Sequence, residues 1–209
     1  MTSVILTPPT EAELLVFMPL VRLRDACFVS NTTQDAQLKD YARAAYDDGQ
    51  SESRASFLPQ TIQAIFRTPF ATTKAFGLEG KITDLDGVQG AFRLPNGPVI
   101  SITHIKLHDE SGAVAETIDA ANYTLESNRF IRWSKDFAWN TVAVRPSFEV
   151  VYQAGLQPNN PLLTKVKVAC LELLAAKWDA KGGNYVMPTT ARRVFHAMRT
   201  SRTYVPSGT

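Results

Sequence analysis

The chain has 209 residues, 44% apolar and 20% charged, an ordinary balance for a folded protein; it excludes a disordered chain and allows one domain with appendages and a core that needs no staples. The net charge of +2 is unevenly spread: from Pro161 onward eight Lys or Arg face two acids, and beyond Asp179 the charged residues are Lys181, Arg192, Arg193, Arg199 and Arg202. The end of the chain therefore favours an acidic partner surface or nucleic acid.

The opening, MTSVILTPPTEAELL, lacks the basic start of a signal peptide, and no apolar run approaches the roughly 20 residues of a membrane helix. The expectation is a protein made in the cytoplasm. Thr10 with Glu13 forms a capping box at the start of a helix carrying Leu14, Leu15 and Met18. Pro19 then opens a second short helix with Leu20, Leu23 and Cys27 at helical spacing. After the polar break Ser30–Thr33, capped by Thr32 or Thr33, a longer helix is predicted over 34–54 with Leu38, Tyr41, Ala42 and Ala45 on one stripe, unless Asp47-Asp48-Gly49 ends it early. Cys27 and Cys170 both sit in apolar helical patterns and read as buried free thiols.

Ile62, Ala64 and Phe66 alternate as a strand does. Residues 67–90 then form a connection longer than most, which marks it as functional or mobile. Asp84-Leu-Asp86-Gly87 within it has half the spacing of a calcium loop, but the ligand six residues past the glycine would be Arg93, so the stretch reads as a turn and no metal is assigned. The cleanest period-two patterning lies between 98 and 155: Ile100 and Ile102, Ile105 and Leu107, Tyr123 and Leu125, Val142 and Val144, then Phe148, Val150 and Tyr152. Turn residues separate these runs at Asp109–Gly112, Ser127-Asn128 and Ala154-Gly155, which predicts an antiparallel meander with one face on a core. Asn160 and Pro161 start the strongest helical pattern, in which Leu163, Val166, Cys170, Leu173, Leu174 and Trp178 recur at three- and four-residue spacing. That stripe is expected to cover the sheet. Gly182-Gly183 ends it, and Pro188 opens a short basic helix with Val194, Phe195 and Met198 on one side. The fold class is α+β: helices over 1–56, a sheet over 57–155, a covering helix over 156–183 and a basic tail over 184–209.

No catalytic set emerges. A nucleophile elbow, a phosphate loop, a zincin helix and paired Cys-x-x-Cys are all missing from the sequence. His104 and His108, four apart on a strand, would lie about 13 Å from each other on one face, too far to share a metal, and read as surface residues. His196 lies between arginines without a nucleophile or an orienting acid, and reads as an interface or solvated residue. Trp133 and Trp139, near Arg132 and Lys135, suit sheet or subunit anchoring better than a base-stacking platform. The expectation is a protein that is not an enzyme and takes no cofactor or metal.

Read in order, several stretches together carry a resemblance: Leu6-Thr7-Pro8-Pro9, a short helix then a longer one ending at Leu58-Pro59-Gln60-Thr61, Arg93-Leu94-Pro95 with Pro98 before Val99-Ile100, Asp119 to Tyr123, Tyr152-Gln153-Ala154-Gly155, and the helix started by Pro161. The chain resembles the head-to-tail connector (adaptor) proteins of tailed double-stranded DNA bacteriophages over nearly its whole length. The long 67–90 segment and the tail beyond Gly183 depart from that pattern. The resemblance implies a virion protein that forms a closed ring, usually twelve-fold, beneath the portal. Genome DNA would pass through the middle, and a neck, stopper or tail protein would dock below. A closed ring needs two different complementary surfaces on each subunit. The basic tail is expected to dock on the portal through Arg192, Arg193, Val194, Phe195, Met198, Arg199 and Tyr204, with Phe195 as the buried anchor. The competing reading is a nucleic-acid-binding protein that uses the same basic tail, for which affinity would fall steeply with salt.

Overall fold

The computed structural model describes residues 2–67, 91–109, 111–126, 128–134, 147–181 and 183–200. It is a mixed α+β protein of two compact units, in which the strands come from residues within 1–8 and 60–154 and the helices from 9–59 and 155–202. All of the 67–90 segment beyond Arg67, with Asp84 and Asp86, and the expected strand at Val142 and Val144 lie outside the described residues.

The strand unit holds β1 (Thr2–Thr7), β2 (Gln60–Arg67), β3 (Ala91–Arg93), β4 (Val99–His108), β5 (Val114–Ile118), β6 (Tyr123–Glu126), β7 (Phe130–Trp133) and β8 (Ser147–Ala154). They form a five-stranded sheet, β1-β2-β8-β4-β5, and a three-stranded sheet, β3-β7-β6, and every pairing is antiparallel. The period-two reading of β8 holds at Phe148, Val150, Tyr152 and Ala154, which are buried while Glu149 and Gln153 are not; Val151, on the opposite face, is buried as well. Register pairs Tyr152 with Ile62 and with Ile102, and Val150 with Ala64 and with Ile105. Leu94 and Ile131, with the partly buried Tyr123, Leu125 and Trp133, bring the second sheet into the same core. The apolar face of the large sheet is thus buried against strands of its own unit.

The sheet is not the expected simple meander. β8, the last strand in sequence, lies between β2 and β4, so the central pairings join segments far apart in the chain. The turn expected at Asp109–Gly112 does form, with Asp109 Oδ1 accepting from the amides of Ser111 at 2.8 Å and Ala113 at 3.0 Å.

The helical unit holds α1 (Glu11–Phe17), α2 (Leu20–Ala26), α3 (Asp35–Ser53), α4 (Pro161–Asp179) and α5 (Thr189–Thr200). The capping box at Thr10 and Glu13 is present, with the Thr10 amide donating to Glu13 Oε2 at 2.7 Å. Pro19 is the N-cap of α2. Asn160 caps α4 through its Oδ1, which accepts from the Leu162 amide at 2.9 Å. The expected threonine cap of α3 is replaced: Gln34 is the N-cap and its side chain makes no capping bond.

α3 also runs past Asp47-Asp48-Gly49 to end at Arg54, whose φ is 51°. Gly49 is a packing position inside the helix, because a Cβ there would stand 2.9 Å from the Phe195 ring and 3.0 Å from Phe57. Gly155 is required where the chain enters this unit, since its Cβ would meet the backbone at Leu58 and Pro59 at 2.6 Å. The stripe of α4, Val166, Cys170, Leu173 and Leu174, is buried with Leu23, Leu38, Ala42, Tyr46 and Phe57. Its partners are helices and the Phe57 segment of its own unit, and this corrects the expectation that the stripe lies on the sheet. Helical periodicity reveals that a face is buried but not what buries it.

Candidate functional site

The surfaces on which a binding protein would act start with α5. Its sequence, Thr-Thr-Ala-Arg-Arg-Val-Phe-His-Ala-Met-Arg-Thr, is strongly two-sided, and the fold uses the apolar side internally. Ala191 and Phe195 are fully buried and Met198 is 7% exposed. Phe195 stacks on Phe57 with ring centroids 5.8 Å apart. The expectation of Phe195 as a partner anchor is therefore corrected, and Met198 with it, because their contacts are already made within the helical core. Val194 and Arg199 are half-buried, while Arg192, Arg193 and His196 are exposed. Tyr204 lies outside the described residues.

The segment leading into α5 is fastened as well. Asp48 takes an ion pair from Lys177 at 2.6 Å and a hydrogen bond from the Tyr185 hydroxyl at 2.5 Å, and the Lys177 ammonium lies 4.3 Å from the Tyr185 ring centroid. Burial pushes the Asp48 carboxyl up, but hydrogen bonds from Lys177 and Tyr185 outweigh it and leave the group below its usual range. The Thr190 hydroxyl donates to Glu172 on α4. What the described part of the basic end offers outward is thus a positively charged helix face tied to the helical core.

On the face of the five-stranded sheet turned away from the Tyr152 core, one carboxylate gathers three side chains. His104 Nε2 is 3.0 Å from Glu149 Oε1, His108 Nε2 is 3.5 Å from Oε2, and Gln63 Nε2 donates to Oε2 at 2.8 Å. His108 Nδ1 lies 3.1 Å from the Gly112 carbonyl, to which it donates. The two histidines are four apart on one face, as expected, but are partly buried and share a carboxylate across the β4–β8 pairing. Sequence reasoning missed Glu149 because only long-range register brings β8 beside β4. Burial pushes Glu149 up, yet the hydrogen bonds from His104 and Gln63 and the two rings together leave it below the usual carboxylate range. Among the described residues no group of His, Cys, Asp or Glu has the arrangement to hold a metal ion.

Both cysteines are buried and free; burial raises the Cys27 thiol to about 11 and pushes Cys170 up as well. Near Cys27, the C-terminal end of α2 turns through Phe28 at φ 53°, where the Val29 amide donates to the Arg24 carbonyl at 3.0 Å. A phenylalanine at this left-handed position, where glycine is favoured, is 96% exposed. It borders an open cleft of about 450 Å³ lined also by Cys27, Asn31, Gln37, Tyr41 and Trp178. Trp133 packs edge-on against Tyr123 at 6.3 Å within the strand unit, while Trp139 lies outside the described residues.

These surfaces belong to a fold already seen in phage-like particles. A chain of the virion of the native gene transfer agent (GTA) particle aligns with TM-score 0.68 at 18% identity, over 100% of this chain and 99% of that chain. A chain from the neck of the empty GTA particle, computed with C6 symmetry, aligns with TM-score 0.68 at 16% identity and the same coverage. One from the neck of the native GTA particle, computed with C12 symmetry, aligns with TM-score 0.67 at 18% identity, again over 100% and 99%. The likeness is one of fold. No protein-family model matches the chain, and no curated protein matches it.

Proposed function

We propose that this chain is a non-enzymatic neck subunit of a tailed phage or phage-like particle, an adaptor that forms a ring under the portal and joins the DNA-filled head to the tail. The observation that carries the reading is the end-to-end fold match to chains of GTA necks, which leaves neither partner with a sizeable unmatched part. The likeness to a neck computed with C12 symmetry supports a homo-oligomeric ring; in this reading DNA would pass through its centre. The basic face of α5, with Arg192 and Arg193 exposed, suits an acidic surface on the portal, since guanidinium forks pair with carboxylates in a defined geometry. In this reading Phe195 and Met198 support that face from beneath.

The experiment is a pull-down of the purified protein on portal rings, with negative-stain imaging of what is recovered. Retention of the chain as a ring coaxial with the portal supports the proposal, and Arg192→Glu with Arg193→Glu should lower retention while leaving the melting temperature unchanged. A folded chain that neither forms rings nor binds portals overturns it.

A further inference from the structure

Every exposed large apolar side chain described in the strand unit lies on one of the two edge strands of the five-stranded sheet: Val4 at 56%, Ile5 at 41% and Leu6 at 50% on β1, and Val114 at 50% on β5. β1 reads Thr-Ser-Val-Ile-Leu-Thr, with no charge and no proline along an edge. Edge strands are templates for pairing, and proteins that leave them open usually blunt them with charge, proline or brevity. β1 has a register irregularity between Ile5 and Thr7, but Thr2 to Ile5 pair regularly with β2, so their outward backbone groups are set as in a regular strand. Among the described residues no strand pairs with the far side of β5, which carries one charge, Glu116.

Five strands in wholly antiparallel order make β1 and β5 run in the same direction. A rotation that carries the sheet into a continuous band around a ring axis sets β1 of one copy parallel to β5 of the next. A two-fold axis would instead pair β1 with another β1, antiparallel, and stop at a dimer. The two edges are different, mutually matching surfaces, which is what a head-to-tail ring demands of each subunit. We propose that β1 of one copy adds to β5 of a second copy, so that the five-stranded sheets join edge to edge around the assembly. The occupant of the apolar edge is thus the same chain. The inference rests on the ring reading above and names the contact that would close it.

The full-length protein carrying Val4→Cys and Thr117→Cys is treated with a short bismaleimide, alongside wild type imaged for rings. Cys27 and Cys170 are buried and compete poorly. The expected result is a ladder of head-to-tail oligomers whose linked peptides join residue 4 to residue 117, with Val4→Cys alone giving no ladder. In a second variant, Val4→Lys with Leu6→Lys, the exposed positions leave the fold intact by circular dichroism, and ring formation is lost. Rings without 4–117 links, links between two copies of residue 4, or rings that persist in the lysine variant overturn the edge junction and leave the ring reading standing. Links without closed rings support the junction and contradict the ring. No 4–117 links from the double-cysteine protein together with no rings from wild type overturns both.

Discussion

Glu149 answers to His104, His108 and Gln63 at once, and this fixes how its charge bears on stability. Its carboxyl is held below its ordinary value of 4.5 in the folded state. A carboxylate lowered by folding contributes stability that is fully present above the unfolded pKa and lost as the pH falls through the native value. Glu149→Gln should therefore lower the melting temperature at neutral pH and flatten its decline below pH 4.5, as followed by circular dichroism across an acid titration. An unchanged acid limb would remove the carboxylate from the account. Phe195 is the other residue whose role the structure defines. Truncating a fully buried ring leaves a cavity and costs about 3–5 kcal/mol, so Phe195→Ala should show a large loss in chemical denaturation. A partner-facing phenylalanine would weaken binding and leave the midpoint where it was.

At the scale of elements, much was legible in the sequence because the signals are local. The capping box at Thr10, the Asn160-Pro161 start of α4, the turn at Asp109–Gly112 and the alternation of β8 each depend on residues within a few positions of one another, and each is present. What was missed is non-local or weakly patterned. β1 is exposed along both faces and so lacks alternation, β5 reads Val-Ala-Glu-Thr-Ile with two small or apolar neighbours in succession, and β3 has three residues. The insertion of β8 between β2 and β4 is invisible to any short window. The stripe of α4 was recognised as buried, but periodicity alone does not say whether a sheet or a helix covers it. Leu173, fully buried among α4's helical neighbours, should cost about 2–5 kcal/mol on change to Ala. Because the loss falls in the helical unit, amide exchange should accelerate in α3 and α4 first; uniform acceleration in β4 and β8 instead would place the stripe elsewhere. Deleting residues 184–209 should expose the same core, since it removes Ala191, Phe195 and Met198, and increased binding of an apolar dye by the truncated chain would register it.

At the scale of the whole molecule three features come together: a sheet whose two edges differ and are unpaired among the described residues, a basic helix packed on its own core, and a fold matched end to end by chains of phage-like necks. In the proposed role, complementary edges would serve self-association, and the exposed Arg192 and Arg193 would serve a partner with carboxylates. Among the described residues no helix is long and apolar enough to cross a membrane. The central claim is that the chain occupies a ring at the neck of a particle, and the most direct measurement is its copy number in purified particles, by quantitative mass spectrometry against the portal and the major head protein. The account predicts the same number of copies as the portal, twelve for a neck of C12 symmetry like that of the similar structure. A count near that of the head protein, or absence from intact particles, would contradict it.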